Sequence, residues 1–483
     1  MSRKKYGAAA TGAGQPDTGM TDIPFNTPPE SGSWVTDYAW ISGLVGALMV
    51  LLCAAFYNAT NALGNGVYLF DIRLTSDRQD SILLALVVIA SSMLVTEMIR
   101  LWRRDRKHFF VIDPALKAGR YGEFVLDSAI AWLLSLGVLG LAMQFFQTAG
   151  EYGYIQGNAY YRPWFRFIDL AFSAWLYGGL PYVMITRALK HDRIADRRDF
   201  ASMAARILQF LASLIPGFKS FRPVFNEIDK KSARALLVKL FFTPLMTVFF
   251  TSQFPHLVSN IGYISGGMIV SIATGSYTHA NFNNDLFNIS IALVFSIDVA
   301  LAWCGYVVSS RWVDNQTITA EPTMLGWVVC VFCYPPFQRY LGLYYGAPSE
   351  REVLAFPSHM ATSIFTTMMV LSYIVYMSAT LWFGVRFSNL TNRGIIRKGP
   401  YAFVRHPAYA SKNFAWWCVM FPAVIYNAAH TGLRVAILQT LGLLFMTWFY
   451  YLRAITEERH LSADPYYQDY CRQVKYRFIP GVI

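Results

Sequence analysis

Long apolar runs alternate with basic loops along almost the whole chain. They lie at 38–58, 81–101, 124–146, 167–186, 236–257, 286–308, 323–345, 358–384, 413–429 and 432–452. Each has roughly the 17–25 residues that a helix needs to cross the hydrocarbon of a bilayer. In hydrocarbon a segment must satisfy its own backbone N–H and C=O groups. Ten such runs therefore predict an all-α, polytopic integral membrane protein. Only 14% of the 483 residues are charged, against about 25% in a soluble domain. The seventh run is broken by Pro335-Pro336 and holds Arg339, which predicts a kinked or re-entrant segment.

The net charge of +12 is concentrated in loops. The connections 100–122 and 187–235 are dense in Arg and Lys, 60–80 has only Arg73 and Arg78, and 259–285 has none. The positive-inside bias then puts both termini and every basic loop on the cytoplasmic side. No basic run interleaved with aromatics lies outside those loops, so no nucleic-acid partner is expected. Residues 1–37 are rich in Gly, Pro, Thr and Ser, with no apolar core after the first basic residues. That reads as a disordered cytoplasmic tail and not as a signal peptide. The expected organisation is this tail, an N-terminal region of about six spans over 38–322, and a catalytic membrane domain over 323–483. Within 187–235, Phe200, Met203, Ile207, Leu211 and Leu214 recur at helical spacing. They predict an amphipathic helix, either lying on the inner membrane surface or packed on the ends of the bundle.

Isolated polar residues read as structural. Cys330 and Cys333 have CxxC spacing without a second pair or a nearby His, so buried packing is expected and no metal site. Asp298 lies in mid-span, with Lys239 and Arg339 as possible partners. Glu97 and Arg100 suit an i,i+3 pair with no further role. His359 is expected to be exposed at the outer face.

Chemistry gathers near the C-terminus. "GPYAFVRHPAYASKN" at 399–413 precedes the ninth run, and "FYYLRAITEERHLSADPYYQDYCRQVKYRFIP" ends the tenth. The short "NAAHTG" link makes these two runs an antiparallel hairpin. Its two cytoplasmic ends then meet, bringing Arg405 and His406 to Glu457, Glu458 and His460. Tyr401, Phe403, Tyr409, Trp416 and Trp417 supply aromatic walls. Such a pocket suits a charged, water-soluble cofactor meeting a lipid-borne substrate. A lone Arg or Tyr at a helix end is usually a snorkelling anchor; the combination of residues favours a site.

The two stretches together resemble the isoprenylcysteine carboxyl methyltransferase family and its bacterial phospholipid-methyltransferase relatives. The resemblance rests on Gly-Pro-Tyr, Arg-His-Pro-x-Tyr, the Glu-Glu pair and the Tyr-rich tail. It covers roughly the last 100 residues. It implies S-adenosylmethionine as cofactor and a lipid or amphipathic acceptor drawn from the bilayer. It also implies the inner membrane of a bacterium, by analogy with the family's larger members. Carried over, Gly399, Pro400, Tyr401, Arg405, His406, Pro407, Tyr409, Glu457, Tyr467, Tyr470 and Arg477 would shape the cofactor site. Arg405 and His406 would hold its carboxylate, and Arg405, His406 and Glu458 would be the catalytic group. A carboxylate acceptor needs no base, whereas an amine or hydroxyl would need one, with His406 or Glu458 as candidate. Ser411 stands where the family often has Gly. Membrane sterol reductases share the frame and a similar tail and would bind NADPH, but Ala408 replaces the Asn of their loop. A transporter with a vestigial methyltransferase fold is the third reading.

Overall fold

The computed structural model describes residues 35–155, 160–190, 200–215, 223–310, 312–337, 354 and 356–482. The principal helices are α1 (Trp40–Thr60), α2 (Arg78–Arg104), α3 (Tyr121–Thr148), α4 (Arg162–Ala188), α5 (Phe200–Ser213) and α6 (Glu227–Tyr263). They are followed by α7 (His279–Val307), α8 (Met324–Val331), α9 (His359–Phe383), α10 (Pro407–His430), α11 (Leu433–Leu461) and α12 (Pro465–Gln473). Among the described residues the only strands are three antiparallel pairs of two residues each.

Local sequence sets the helix starts. Asp77, Thr278, Thr323, Ser358 and Asp464 each accept a hydrogen bond from a first-turn N–H, and Asn226 with Asp229 forms a capping box. These side chains satisfy donors that a helix leaves open. Pro407 starts α10, where its missing N–H costs nothing.

Among the described residues, eight helices are long and apolar enough to cross a membrane: α1, α2, α3, α4, α6, α7, α9 and α11. This is the architecture of an integral membrane protein. Two of the ten expected runs fall outside the eight. The run at 413–429 lies in α10, which is long but carries Lys412, Asn413 and Asn427. The run at 323–345 yields only the eight-residue α8 before turns reach Pro335. Its remainder and Arg339 lie outside the described residues, as does most of the expected tail, 1–34.

The core is built around α7, which packs against α6, α1 and α9, while α9 also packs on α10 and α10 on α11. In the most apolar window of α7, 61% of residues are buried, against 11% in α3. The α3–α4 pair is therefore peripheral. The amphipathic helix is α5. It rests on α3 and α6 with Met203 and Ala204 buried, and leaves Leu208, Leu211 and Leu214 exposed. Its Arg206 lies 3.0 Å from Asp229 of α6.

The segment just before α1 is packed. Val35–Tyr38 forms a 3₁₀ turn against the loop that follows α9. Thr36 Oγ1 donates to Ile395 O at 2.6 Å, and Asp37 accepts from Arg397 Nε and Nη2 at 2.9 and 2.8 Å. α1 meets the end of α9 backbone to backbone: a Cβ on Gly43 would sit 2.0 Å from Leu381 O.

Glu97 has more than its expected i,i+3 partner. Arg100 holds it at 2.5 Å, and Arg386, just beyond α9, reaches it at 2.8 Å and Asp314 at 3.5 Å. A sequence pattern shows neighbours on one helix and not a partner 289 residues away. Asp298 is tied differently from expectation. It accepts from Thr380 Oγ1 at 2.5 Å and from Tyr376, both on α9. Lys239 instead lies buried near Arg393.

Candidate functional site

The motif loop runs from α9 to α10. Gly399–Ala402 is a 3₁₀ turn, and Gly399 has φ +64°. Its Cα lies against the Trp382 indole, where an added Cβ would sit 2.1 Å from the ring. Glycine is thus required there both by conformation and by space. The tail lies alongside the loop. Arg405 N and His406 N donate to Tyr476 O and Arg477 O, each at 2.9 Å, and Tyr470 OH donates to Tyr401 O at 2.8 Å. Burial pushes the Tyr401, Tyr467 and Tyr470 hydroxyls above the usual tyrosine range, so they stay protonated donors.

Glu458 is the hub of the cluster. Arg405 Nη1 lies 3.2 Å and His406 Nε2 3.1 Å from its Oε1, and Arg477 Nε lies 3.0 Å from its Oε2. Burial is the largest influence and works against the Arg405 charge, yet the Glu458 carboxylate together with Cys471 and Tyr467 pushes the guanidinium pKa up. Arg405 also donates to Lys475 O at 3.1 Å. The preceding glutamate does separate work: Tyr409 OH donates to Glu457 Oε2 at 2.6 Å. The His406 and Tyr409 rings stack, with centroids 5.4 Å apart.

Two cavities adjoin this cluster and share Tyr409 as a wall. The larger, about 900 Å³, is almost wholly apolar. It lies between α9, α10, α11 and the tail, against residues such as Val375, Phe403, Trp417, Tyr451 and Phe478. The second is much smaller and polar, lined among others by Glu321, Asn389, Arg453, Glu457 and His460.

The expected site residues thus divide. Pro400, Pro407 and Tyr409 line the large cavity, while Glu457 and Tyr409 line the polar pocket. Arg405, His406, Glu458 and Arg477 bind one another, and neither cavity has them in its wall. Tyr467 and Tyr470 pack with Tyr401 and Val474. Cys330 and Cys333 are buried, Cys333 beside Met446 and Phe449. His359 is exposed at the start of α9.

Sequence reasoning did not single out Arg453, Glu321 or Asn389. Arg453 has a faint signal, a charge in an apolar run one helical turn before Glu457. Glu321 has none. It reaches the pocket because Thr319–Ala320 pairs with Thr391–Asn392.

Residues 360–463 match the model of the isoprenylcysteine carboxyl methyltransferase family. The match spans α9 to α11, so it takes in the motif loop and both glutamates, and it supports a membrane methyltransferase. Residues before 360 and the tail after 463 lie outside it. No curated protein and no solved structure matches the chain.

Proposed function

We propose that the chain is a membrane-embedded methyltransferase that transfers the methyl group of S-adenosylmethionine to a lipid or amphipathic acceptor. The observation that carries this is the apolar cavity of about 900 Å³ against the motif loop, walled by the family-matched segment and closed by Phe478, Ile479 and Pro480 of the tail. A water-soluble acceptor has no use for such a wall, whereas an acyl or prenyl chain gains roughly 0.8 kcal/mol for each methylene buried.

The residues present fit the cofactor. Aromatic faces of Tyr409, Tyr450 and Trp417 line the cavity, with Glu457 behind Tyr409, and both features suit a cationic sulfonium. When bound, the cofactor supplies an electrophilic methyl group on that sulfur, and the protein supplies alignment and electrostatics. Glu458 acts as a positioning residue: by binding Arg405, His406 and Arg477 together it clamps the tail onto the motif loop. The cavity wall excludes water and orients the acceptor. A carboxylate acceptor needs no base. For an amine or hydroxyl, Glu457 with the Tyr409 hydroxyl is the proton-accepting pair that reaches the cavity wall. By loop charge the site faces the cytoplasm, so the cofactor enters from water and the acceptor laterally from the bilayer.

The test is calorimetric titration of the full chain in detergent with S-adenosylhomocysteine and, separately, NADPH. The expected result is S-adenosylhomocysteine binding, followed by transfer of labelled methyl groups into a lipid extract. Folded protein that binds NADPH and not S-adenosylhomocysteine would replace this reading with a reductase of the sterol type.

A further inference from the structure

The small pocket behind Tyr409 holds a buried cation with no carboxylate at ion-pair distance among the described residues. Arg453 is 6% exposed. Its guanidinium lies over the rings of Tyr409, Tyr334 and Tyr450, at 4.9, 5.6 and 5.7 Å from their centroids. Its Nη2 donates to Asn389 Oδ1 at 2.7 Å. It forms no ion pair among the described residues, in contrast to Arg386, Arg397, Arg405 and Arg477. Aromatic faces compensate part of a lost hydration shell, and a buried charge is otherwise balanced by an opposite one.

Two carboxylates, Glu321 and Glu457, stand in the rest of the lining. Glu321 is 2% exposed. Its Oε1 accepts from Thr323 N at 3.0 Å and from Arg459 Nη2 at 3.2 Å. Its Oε2 is 3.9 Å from His460 Nδ1, beyond hydrogen-bond reach. Glu457 lines the same pocket. Gly326 leaves room for this placement of Glu321: a Cβ there would sit 2.4 Å from Glu321 Cδ and the carboxylate would have to shift.

Glu321 is ion-paired with Arg459 through Oε1 alone, so a cation without an ion pair, the open Oε2 of Glu321 and the Glu457 carboxylate together complement a zwitterion. We infer that this pocket receives the α-amino-acid end of the methyl donor, with Arg453 binding its carboxylate and Glu321 its ammonium group. The assignment rests on the proposed function and deepens it. It gives the carboxylate to Arg453 and not to Arg405 or His406, which Glu458 already binds. It also gives the residues before the family-matched segment a part in the site, through Glu321.

The test compares two ligands that differ by the amino-acid end. S-adenosylhomocysteine carries it and 5′-methylthioadenosine lacks it. Both are titrated calorimetrically into detergent-purified wild type, Arg453→Met and Glu321→Gln. The wild type is expected to prefer S-adenosylhomocysteine. Arg453→Met should lose about 30-fold in affinity for it and Glu321→Gln about tenfold, the range for charged hydrogen bonds. Binding of 5′-methylthioadenosine should stay unchanged in both, which also reports a folded site. If Arg453→Met binds neither ligand, Glu321→Gln decides, since it changes a different element. Unchanged S-adenosylhomocysteine affinity in the decisive variant overturns the inference and leaves the methyltransferase reading standing. A wild type that binds neither ligand fails the methyltransferase reading itself.

Discussion

Glu97 on α2 and Glu458 on α11 are both helical glutamates gripped by basic side chains from distant parts of the chain. Their surroundings differ. The Glu97 side chain is fully buried, and so is that of its partner Arg386. No cavity residue touches that network; it joins α2 to the end of α9 and to Asp314. Glu458 keeps 11% side-chain exposure, and its partners come from a loop and a tail beside two cavities. An ion cluster sealed inside a bundle joins helices. The same chemistry at a helix end, beside open space, holds a loop and a tail against each other.

The strongest way to break this contrast is Arg386→Met. It leaves Glu97 with Arg100 alone and takes the Arg386 contact from Asp314. Removing one partner of a buried pair costs about 3–5 kcal/mol. The thermal midpoint of the detergent-solubilised protein should fall steeply, while any protein that stays folded keeps its S-adenosylhomocysteine affinity. A midpoint that does not move would mean that the Glu97 network is incidental.

Glu458→Gln should show the opposite profile. Arg405 and Arg477 can be rehydrated at the surface, so the midpoint should shift little. The clamp on the tail would loosen, and misplacement on the order of 1 Å can cost about 100-fold in rate. Methyl transfer should therefore fall by about that factor. A variant that loses stability and retains its rate would put Glu458 in the same class as Glu97.

Asp37→Asn tests a joint between the two regions. Asp37 holds Arg397, two residues before Gly399, from the turn that precedes α1. Arg397 keeps 19% exposure and Asp37 only 1%, so solvent screens the pair from the arginine side alone and its worth is about 1 kcal/mol. Transfer should drop roughly fivefold, Arg397→Gln should match it, and the double variant should add nothing. Additive losses would show that the two side chains act apart.

These residues also mark how far the sequence could be read. Apolar runs made the membrane helices legible because each span must satisfy its own backbone, and eight of them have the length and composition to cross. α10 escaped the apolar set because Lys412 and Asn413 sit inside its first turns, where Lys412 lies over Tyr376 and Trp416. Arg405, His406 and the glutamates were brought together correctly, since a short link leaves a hairpin no other way to return. Their partners were not legible. Which carboxylate neutralises which arginine depends on side-chain reach across packed helices, and no spacing encodes that. Glu321 was invisible because a two-residue strand pair carries it to the pocket. Asp37 was hidden in a stretch whose composition reads as a tail.

The smallest effect separates the two cavities. Phe403 lines the large apolar one and is 71% exposed, standing at its rim, and the polar pocket does not include it. Phe403→Ala removes apolar surface that an acceptor chain would cover, and partial burial of such a side chain is worth about 1 kcal/mol. The KM for a lipid acceptor should rise about fivefold, with kcat and S-adenosylhomocysteine affinity unchanged. The converse outcome, weaker S-adenosylhomocysteine binding with an unchanged acceptor KM, would give the Phe403 rim of that cavity to the cofactor and not to the acceptor. Because Phe403 touches neither Glu458 nor Arg453 in any hydrogen bond or ion pair, such a result would bear on the division of the two cavities alone.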